Sequence, residues 1–233
     1  MNRILSGPRH ERRPEHRLPA VAAVLVGIGL YVGLPSDLTF GTRFVVPALE
    51  ILLLVPLVAF NPRRFTRETR ASRALSLTLV GVIGAANFLS LVFLVRALVS
   101  GDAQDSKKLL LAALQVWLTN IIVFGMAYWE LDRGGPVRRT QAPRAELPHA
   151  DFRFSQDENG DSIDEVAGAS SEKADWAPTL VDYLYMSVTN STAFSPTDTM
   201  PLSTRAKALM SVQCMSALVV SLLVIAKAVS GLQ

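Results

Sequence analysis

Cysteine is almost absent from this chain. Cys214 stands alone among 233 residues, which excludes an intramolecular disulfide. Histidine is nearly as scarce: His10, His16 and His149 all lie in polar stretches, so no histidine metal site can form inside an apolar segment. Charged side chains make up only 18% of the residues against 50% hydrophobic, and they cluster between long apolar runs. That pattern describes an integral membrane protein rather than a soluble domain. There is no internal repeat of useful length and no Gly-x-Ser-Gly nucleophile motif. Asp182 and Asp198 share one hairpin, a poor fit to the facing pair of an intramembrane aspartyl protease. An enzyme is therefore not expected, nor a cofactor, a metal or a nucleic-acid partner.

What is abundant is apolar length. A helix needs about 20 apolar residues to cross the bilayer core. By that measure the sequence predicts an all-α integral membrane protein with five transmembrane helices, near 18–34, 44–60, 74–99, 109–129 and 204–230. A sixth stretch, 177–191, is apolar and aromatic but too short to cross, so it reads as a re-entrant short helix before the last span. Four parts result: a basic N-terminus (1–17), a four-helix region (18–130), a polar linker (131–175), and the hairpin with its final helix (176–233).

Arg3, Arg9, Arg12, Arg13 and Arg17 precede the first apolar run, and no small-residue cleavage site follows at the usual distance. A retained signal-anchor helix fits this better than a secretory signal. Arg63, Arg64, Arg67, Arg70 and Arg73 lie between spans two and three, and Arg133, Arg138, Arg139 and Arg144 follow span four. The opposite loops hold only Arg43, Lys107 and Lys108. Because cytoplasmic loops carry the excess of Lys and Arg, the N-terminus is expected inside. The arginine-rich composition points to a bacterial inner membrane.

The linker is broken by Gly134, Gly135, Pro136, Pro143 and Pro148, and its second half is acidic. Low hydrophobicity with high charge predicts disorder there. Asp157-Glu158-Asn159-Gly160-Asp161 has the composition of a calcium loop. Its glycine does not fall at the sixth position of a twelve-residue EF-hand loop, so a solvated acidic linker is the expectation.

Ionisable groups inside spans are costly and mark pathways or pair with each other. Glu50 lies between Pro47 and Pro56 in span two, and Arg96 lies at a comparable depth in span three. The two are candidates for a structural ion pair, and Glu50 alone for a proton or cation site. Asn87, Gln115, Thr119 and Asn120 are neutral polar residues near mid-membrane, of the kind that ties helices together. Gly29/Gly33, Gly81/Ala85 and Ala217/Ser221 are small-residue faces that let helices approach closely.

The hairpin is the most informative stretch. Trp176, Leu180, Tyr183, Leu184 and Ser187 recur at helical spacing. Hydroxyls then dominate through Thr189, Ser191, Thr192, Ser195, Thr197 and Thr199, with Asn190 and Asp198 among them. Pro196 and Pro201 rule out continuous helix. Ser203 or Thr204 can cap the last span. Asp198 is a candidate cap or partner for Arg205.

Residues 178–230 resemble the pore helix, filter and inner helix of two-transmembrane potassium-channel domains. They also resemble an uncharacterised family of bacterial multi-span proteins with a hydroxyl-rich turn before the final span. The resemblance implies a pore loop, with Thr192, Ser195 and Asp198 as filter or mouth residues. Phe194 and Pro196 stand where the potassium filter has glycines that adopt positive φ. A path here would therefore be lined by side-chain hydroxyls, Thr197 included, rather than by a ring of carbonyls. The arginine pattern brings the loop in from the cytoplasmic side, as in ionotropic glutamate receptors. One loop per chain cannot enclose a path, which implies a homo-oligomer in the lipid bilayer conducting a small inorganic ion. Two further expectations stand beside this one: an ion-coupled transporter using Glu50, and a non-catalytic membrane scaffold or regulator acting through the basic loops and the linker.

Overall fold

The computed structural model describes residues 13–39, 41–66, 68–100, 106–192 and 198–230. α1 (Leu18–Val32) begins with Pro19 in its first turn, where the missing N–H costs no hydrogen bond. A short α2 (Ser36–Thr39) leads to α3 (Val45–Phe60), which carries Pro47 in its first turn and Pro56 in its interior. α4 (Arg70–Ser100) starts at a reciprocal cap: Thr69 N–H donates to Ser72 Oγ at 2.9 Å, and Ser72 N–H to Thr69 Oγ1 at 3.0 Å. α5 (Ser106–Leu131) is the central helix and packs against α1 and α4.

The expected disorder over 131–175 is not what these residues do. They fold into a cap on the bundle. It contains α6 (Pro136–Gln141), β1 (Phe152–Arg153), α7 (Asp164–Ala167) and several single 3₁₀ turns. Beyond it come α8 (Leu180–Thr192), β2 (Met200–Pro201) and α9 (Thr204–Ser230). β1 and β2 pair antiparallel, Phe152 opposite Pro201 and Arg153 opposite Met200, so the cap is tied to the chain that returns from the hairpin.

Composition misleads here because the segment is ordered by surfaces that lie outside it. Its few aromatics pack on the ends of helices: Phe152 lies edge-on to Tyr128 at 5.1 Å, and Phe154 edge-on to Tyr183 at 5.3 Å and to Trp176 at 5.6 Å. Such pairs contribute about 1 kcal/mol each beyond their burial. The acidic residues find arginines, as in Arg133–Asp157 at 2.6 Å and Arg144–Asp175 at 2.6 Å. Asp157 also accepts from Ser171 Oγ at 2.6 Å and from Phe154 N–H at 3.1 Å, so the calcium-loop motif serves an internal turn. Among the described residues no group of three or more His, Cys, Asp or Glu could hold a metal ion.

α4, α5 and α9 are each long and apolar enough to cross a membrane; α1 and α3, at 15 and 16 residues, are shorter. The helices appear where the hydrophobic runs predict them. α5 also packs against α8 and α9, while α3 touches α4 and α1. The basic segments share one end of the bundle. Arg17 N–H donates to Arg63 carbonyl and Phe65 N–H to Glu15 carbonyl, each at 3.1 Å, which lays the N-terminal strand along the α3–α4 loop. Arg17 also donates to Asn61 carbonyl at 3.2 Å and stacks 4.9 Å from the centroid of the Phe65 ring.

Candidate functional site

The hairpin formed by α8 and the start of α9 is fastened at both its base and its depth. At the base, Thr179 N–H and Oγ1 donate to Asp182 Oδ2 at 2.7 and 2.8 Å, a cap that fixes where α8 begins. Pro178 lies just before the helix, where its missing N–H costs no helical hydrogen bond. Glu15 sits at that same N-terminus and accepts from Leu180 N–H at 2.6 Å and Trp129 Nε1–H at 2.9 Å. A carboxylate suits the positive end of a helix.

Beneath it lies Arg139, fully buried. Its Nε donates to Pro178 carbonyl at 2.9 Å, and its Nη1 to Trp129 and Asp132 carbonyls at 3.0 and 3.1 Å. The guanidinium also lies 4.9 Å from the centroid of the Tyr183 ring. Asp132, equally buried, accepts from Tyr183 Oη at 2.5 Å and from Asp151 N–H at 2.7 Å. Beside them Glu130 is held by Arg73 at 2.7 Å and by Ser76. Gly135 is what lets Arg73 reach that far: a Cβ there would lie 1.9 Å from Arg73 Nη1, and its φ of +94° is one that side-chain-bearing residues avoid.

At depth, a second polar network joins α5, α8 and α9 around Gln213, which is fully buried. Gln213 Nε2 donates toward Ser187 Oγ at 2.6 Å, Ser191 Oγ at 2.7 Å and Ser187 carbonyl at 2.9 Å. Its Oε1 accepts from Tyr128 Oη at 2.5 Å and Asn190 Nδ2 at 2.9 Å. Ser187 Oγ donates on to Ile121 carbonyl at 2.7 Å. Ile121 is ten residues from the Leu131 end of α5, about 15 Å along the axis at 1.5 Å per residue. Gly125 permits this packing, since a Cβ there would meet Leu184 Cδ2 at 2.7 Å.

Of the residues singled out in the sequence, Thr192 is the exposed last residue of α8 and donates Oγ1–H to Thr189 carbonyl at 2.9 Å. Asp198 is exposed just before β2. Ser195 and Thr197 lie outside the described residues, as do Phe194 and Pro196. Asp198 is not the partner of Arg205. Arg205 Nε donates to Asp151 Oδ1 at 2.7 Å, and Ser203 Oγ accepts from Ala206 N–H at 3.1 Å to cap α9.

The Glu50–Arg96 pair does not form. Glu50 is buried on α3 and its Oε2 has no hydrogen-bond partner. Arg96 is exposed and lines an apolar groove of about 910 Å³ between α4, α5 and α9, to which α3 contributes nothing. Similar depth along two helices says nothing about which faces meet. Asn87, Asn120 and Ser216 do tie α4, α5 and α9: Asn87 Nδ2 donates to Asn120 Oδ1 at 3.3 Å, and Asn120 Nδ2 to Ser216 Oγ at 3.2 Å. The site residues that sequence reasoning missed are Gln213, Asp132, Arg139 and Asp151. Gln213 carried a usable signal, an amide inside an apolar run, whereas the other three stood in a segment read as linker.

Burial raises the Glu15 pKa above its ordinary value, outweighing the hydrogen bonds from Leu180 and Trp129 that favour the anion. The folded state therefore keeps this proton to higher pH than the unfolded chain does. Stability should fall as pH rises from about 4.5, the ordinary carboxylate value, through the raised one. Glu15→Gln should flatten that slope in thermal unfolding followed across pH 4 to 8; an unchanged slope would remove Glu15 as its cause.

Compared with models of known families, with curated proteins and with solved structures, the chain shows no match. The class that fold and site define is a mainly helical protein with three helices able to cross a membrane and a short helical hairpin under a polar cap.

Proposed function

We propose that this chain is a five-span membrane protein in which α8 is re-entrant, and that its homo-oligomer forms a channel-like path for a small ion. The observation that carries the reading is the fastening of α8. A 13-residue helix spans about 20 Å, too short to cross a hydrocarbon core of about 30 Å. It starts in the polar cap, and its last turn is bonded to α9 at Gln213 and Met210. Its carbonyl end, which carries partial negative charge and so favours a cation, bears exposed Thr192. α1 and α3 are short for full spans, a mismatch that membranes accommodate by local thinning and by snorkelling of flanking side chains. The exposed face of α8, Val181, Tyr185 and Val188 above Thr192, is available to a neighbouring copy or to lipid.

The test is ion flux through purified protein in liposomes, wild type beside Asp198→Asn. Neutralising an exposed charge at the mouth should change cation permeability severalfold with the fold intact. Absence of flux across several cations and anions would reject the channel and favour a scaffold built on the cap. Buried Glu50, with its unpartnered Oε2, favours a second reading as a proton-coupled transporter. In the same assay Glu50→Gln would then abolish flux driven by a pH gradient while Asp198→Asn would leave it.

A further inference from the structure

We propose that the cleft between α4 and α6 binds the headgroup of an anionic phospholipid. The cleft, about 570 Å³, lies at the polar end of α4 and is lined by Arg70, Arg73 and Arg138, with Glu68, Ala74 and Leu77. Arg73 is already shared between two carboxylates, 2.7 Å from Glu130 and 3.8 Å from Glu68, so it offers the cleft no free positive charge. The remaining charge belongs to Arg70 and Arg138. Both are exposed, and among the described residues neither guanidinium has a hydrogen-bond or ion-pair partner. Two arginines brought to one cleft from different elements match a phosphodiester, because guanidinium groups bind phosphate oxygens through paired N–H donors.

A lipid is favoured over a free anion by what lies below. Arg70, Ala74 and Leu77 occupy positions i, i+4 and i+7, one face of α4, so the surface changes from charged to apolar over about 10 Å along the helix. Leu77 is 38% exposed on that face. A phosphate at the arginines would leave its acyl chains against Ala74 and Leu77, directed along α4 toward the middle of the apolar run. Basic pockets between helices at the cytoplasmic boundary are suited to anionic headgroups, which the cytoplasmic leaflet supplies.

The inference rests on the reading of α4 as a membrane-crossing helix, and not on ion conduction. The experiment uses the full chain purified in detergent, with bound lipid counted by native mass spectrometry. Phosphatidylglycerol is offered against phosphatidylcholine of the same chains, with glycerol 3-phosphate as the soluble competitor. Wild type should prefer phosphatidylglycerol about tenfold or more. The double variant Arg70→Gln with Arg138→Gln should lose that preference, while Arg96→Gln at the other end of α4 should keep it. Because neither arginine has a partner among the described residues, the double variant should unfold at the wild-type temperature in phosphatidylcholine. A preference retained by the double variant would overturn the proposal, as would full displacement by glycerol 3-phosphate. A protein that conducts no ion yet selects phosphatidylglycerol through these two arginines would lose the channel and keep this site.

Discussion

Arg139→Leu should destabilise the protein by about 3–5 kcal/mol, the range for removing one member of a buried charge cluster. The substitution leaves the carbonyls of Pro178, Trp129 and Asp132 without their donor, and it takes the cation away from Glu15, 3.9 Å from Arg139 Nη2. Each buried acceptor left unpaired costs about 1–3 kcal/mol, although relaxation of the cap recovers part of the sum. Arg139→Lys should rescue little. One ammonium on a flexible stem cannot serve three carbonyls in different directions while stacking on Tyr183. The midpoint of thermal unfolding in detergent measures both variants. Wild-type stability in Arg139→Leu would mean that residues 131–176 contribute no cooperative structure, and would return that segment to the status of a linker.

Gln213→Leu should cost about 2–4 kcal/mol and loosen the hairpin. The side chain bonds Tyr128, Ser187, Asn190 and Ser191 together, so an apolar replacement strands several polar groups at once. Within membranes an individual interhelical hydrogen bond contributes about 0.6 kcal/mol, so the loss of all four partners together sets the lower end of the range. Limited proteolysis at the α8–α9 turn, compared with wild type, separates a loosened hairpin from global unfolding. If the hairpin lines a path, this variant should also alter ion flux through the loss of a fixed geometry. Unchanged stability and unchanged cleavage would show that α8 is held by its polar base and by apolar packing, through Leu180, Tyr183 and Met186, without need of Gln213.

The helices were legible because hydrophobic length is a local property. Runs near 18–34, 44–60, 74–99, 109–129 and 204–230 became α1, α3, α4, α5 and α9 with boundaries shifted by a few residues. The short aromatic helix before α9 was legible for the same reason, from the spacing of Leu180, Tyr183, Leu184 and Ser187. Arginine placement also foretold that the N-terminus, the α3–α4 loop and the segment after α5 would share one end. The five-span reading, and the pore reading of Thr192 and Asp198, are proposals that topology and flux measurements decide.

Pairing was not legible, and the reason is geometric. Glu50 and Arg96 matched in depth and in charge, but Arg96 lines a groove that α3 does not touch. Arg205 had Asp198 seven residues away in sequence and yet pairs with Asp151, 54 residues away, because β1 and β2 bring that carboxylate to the start of α9. The cap shows the same thing on a larger scale. Its composition describes a chain that cannot by itself bury enough apolar surface to offset ordering entropy. It folds because Tyr128, Trp129 and Tyr183 on the helix ends lend it a surface, and because Arg133 and Arg139 find acceptors contributed by several elements. Helix formation and its hydrophobic limits were thus written along the chain. Which charges meet, and whether a polar segment is ordered, depended on surfaces that exist only after the helices have packed.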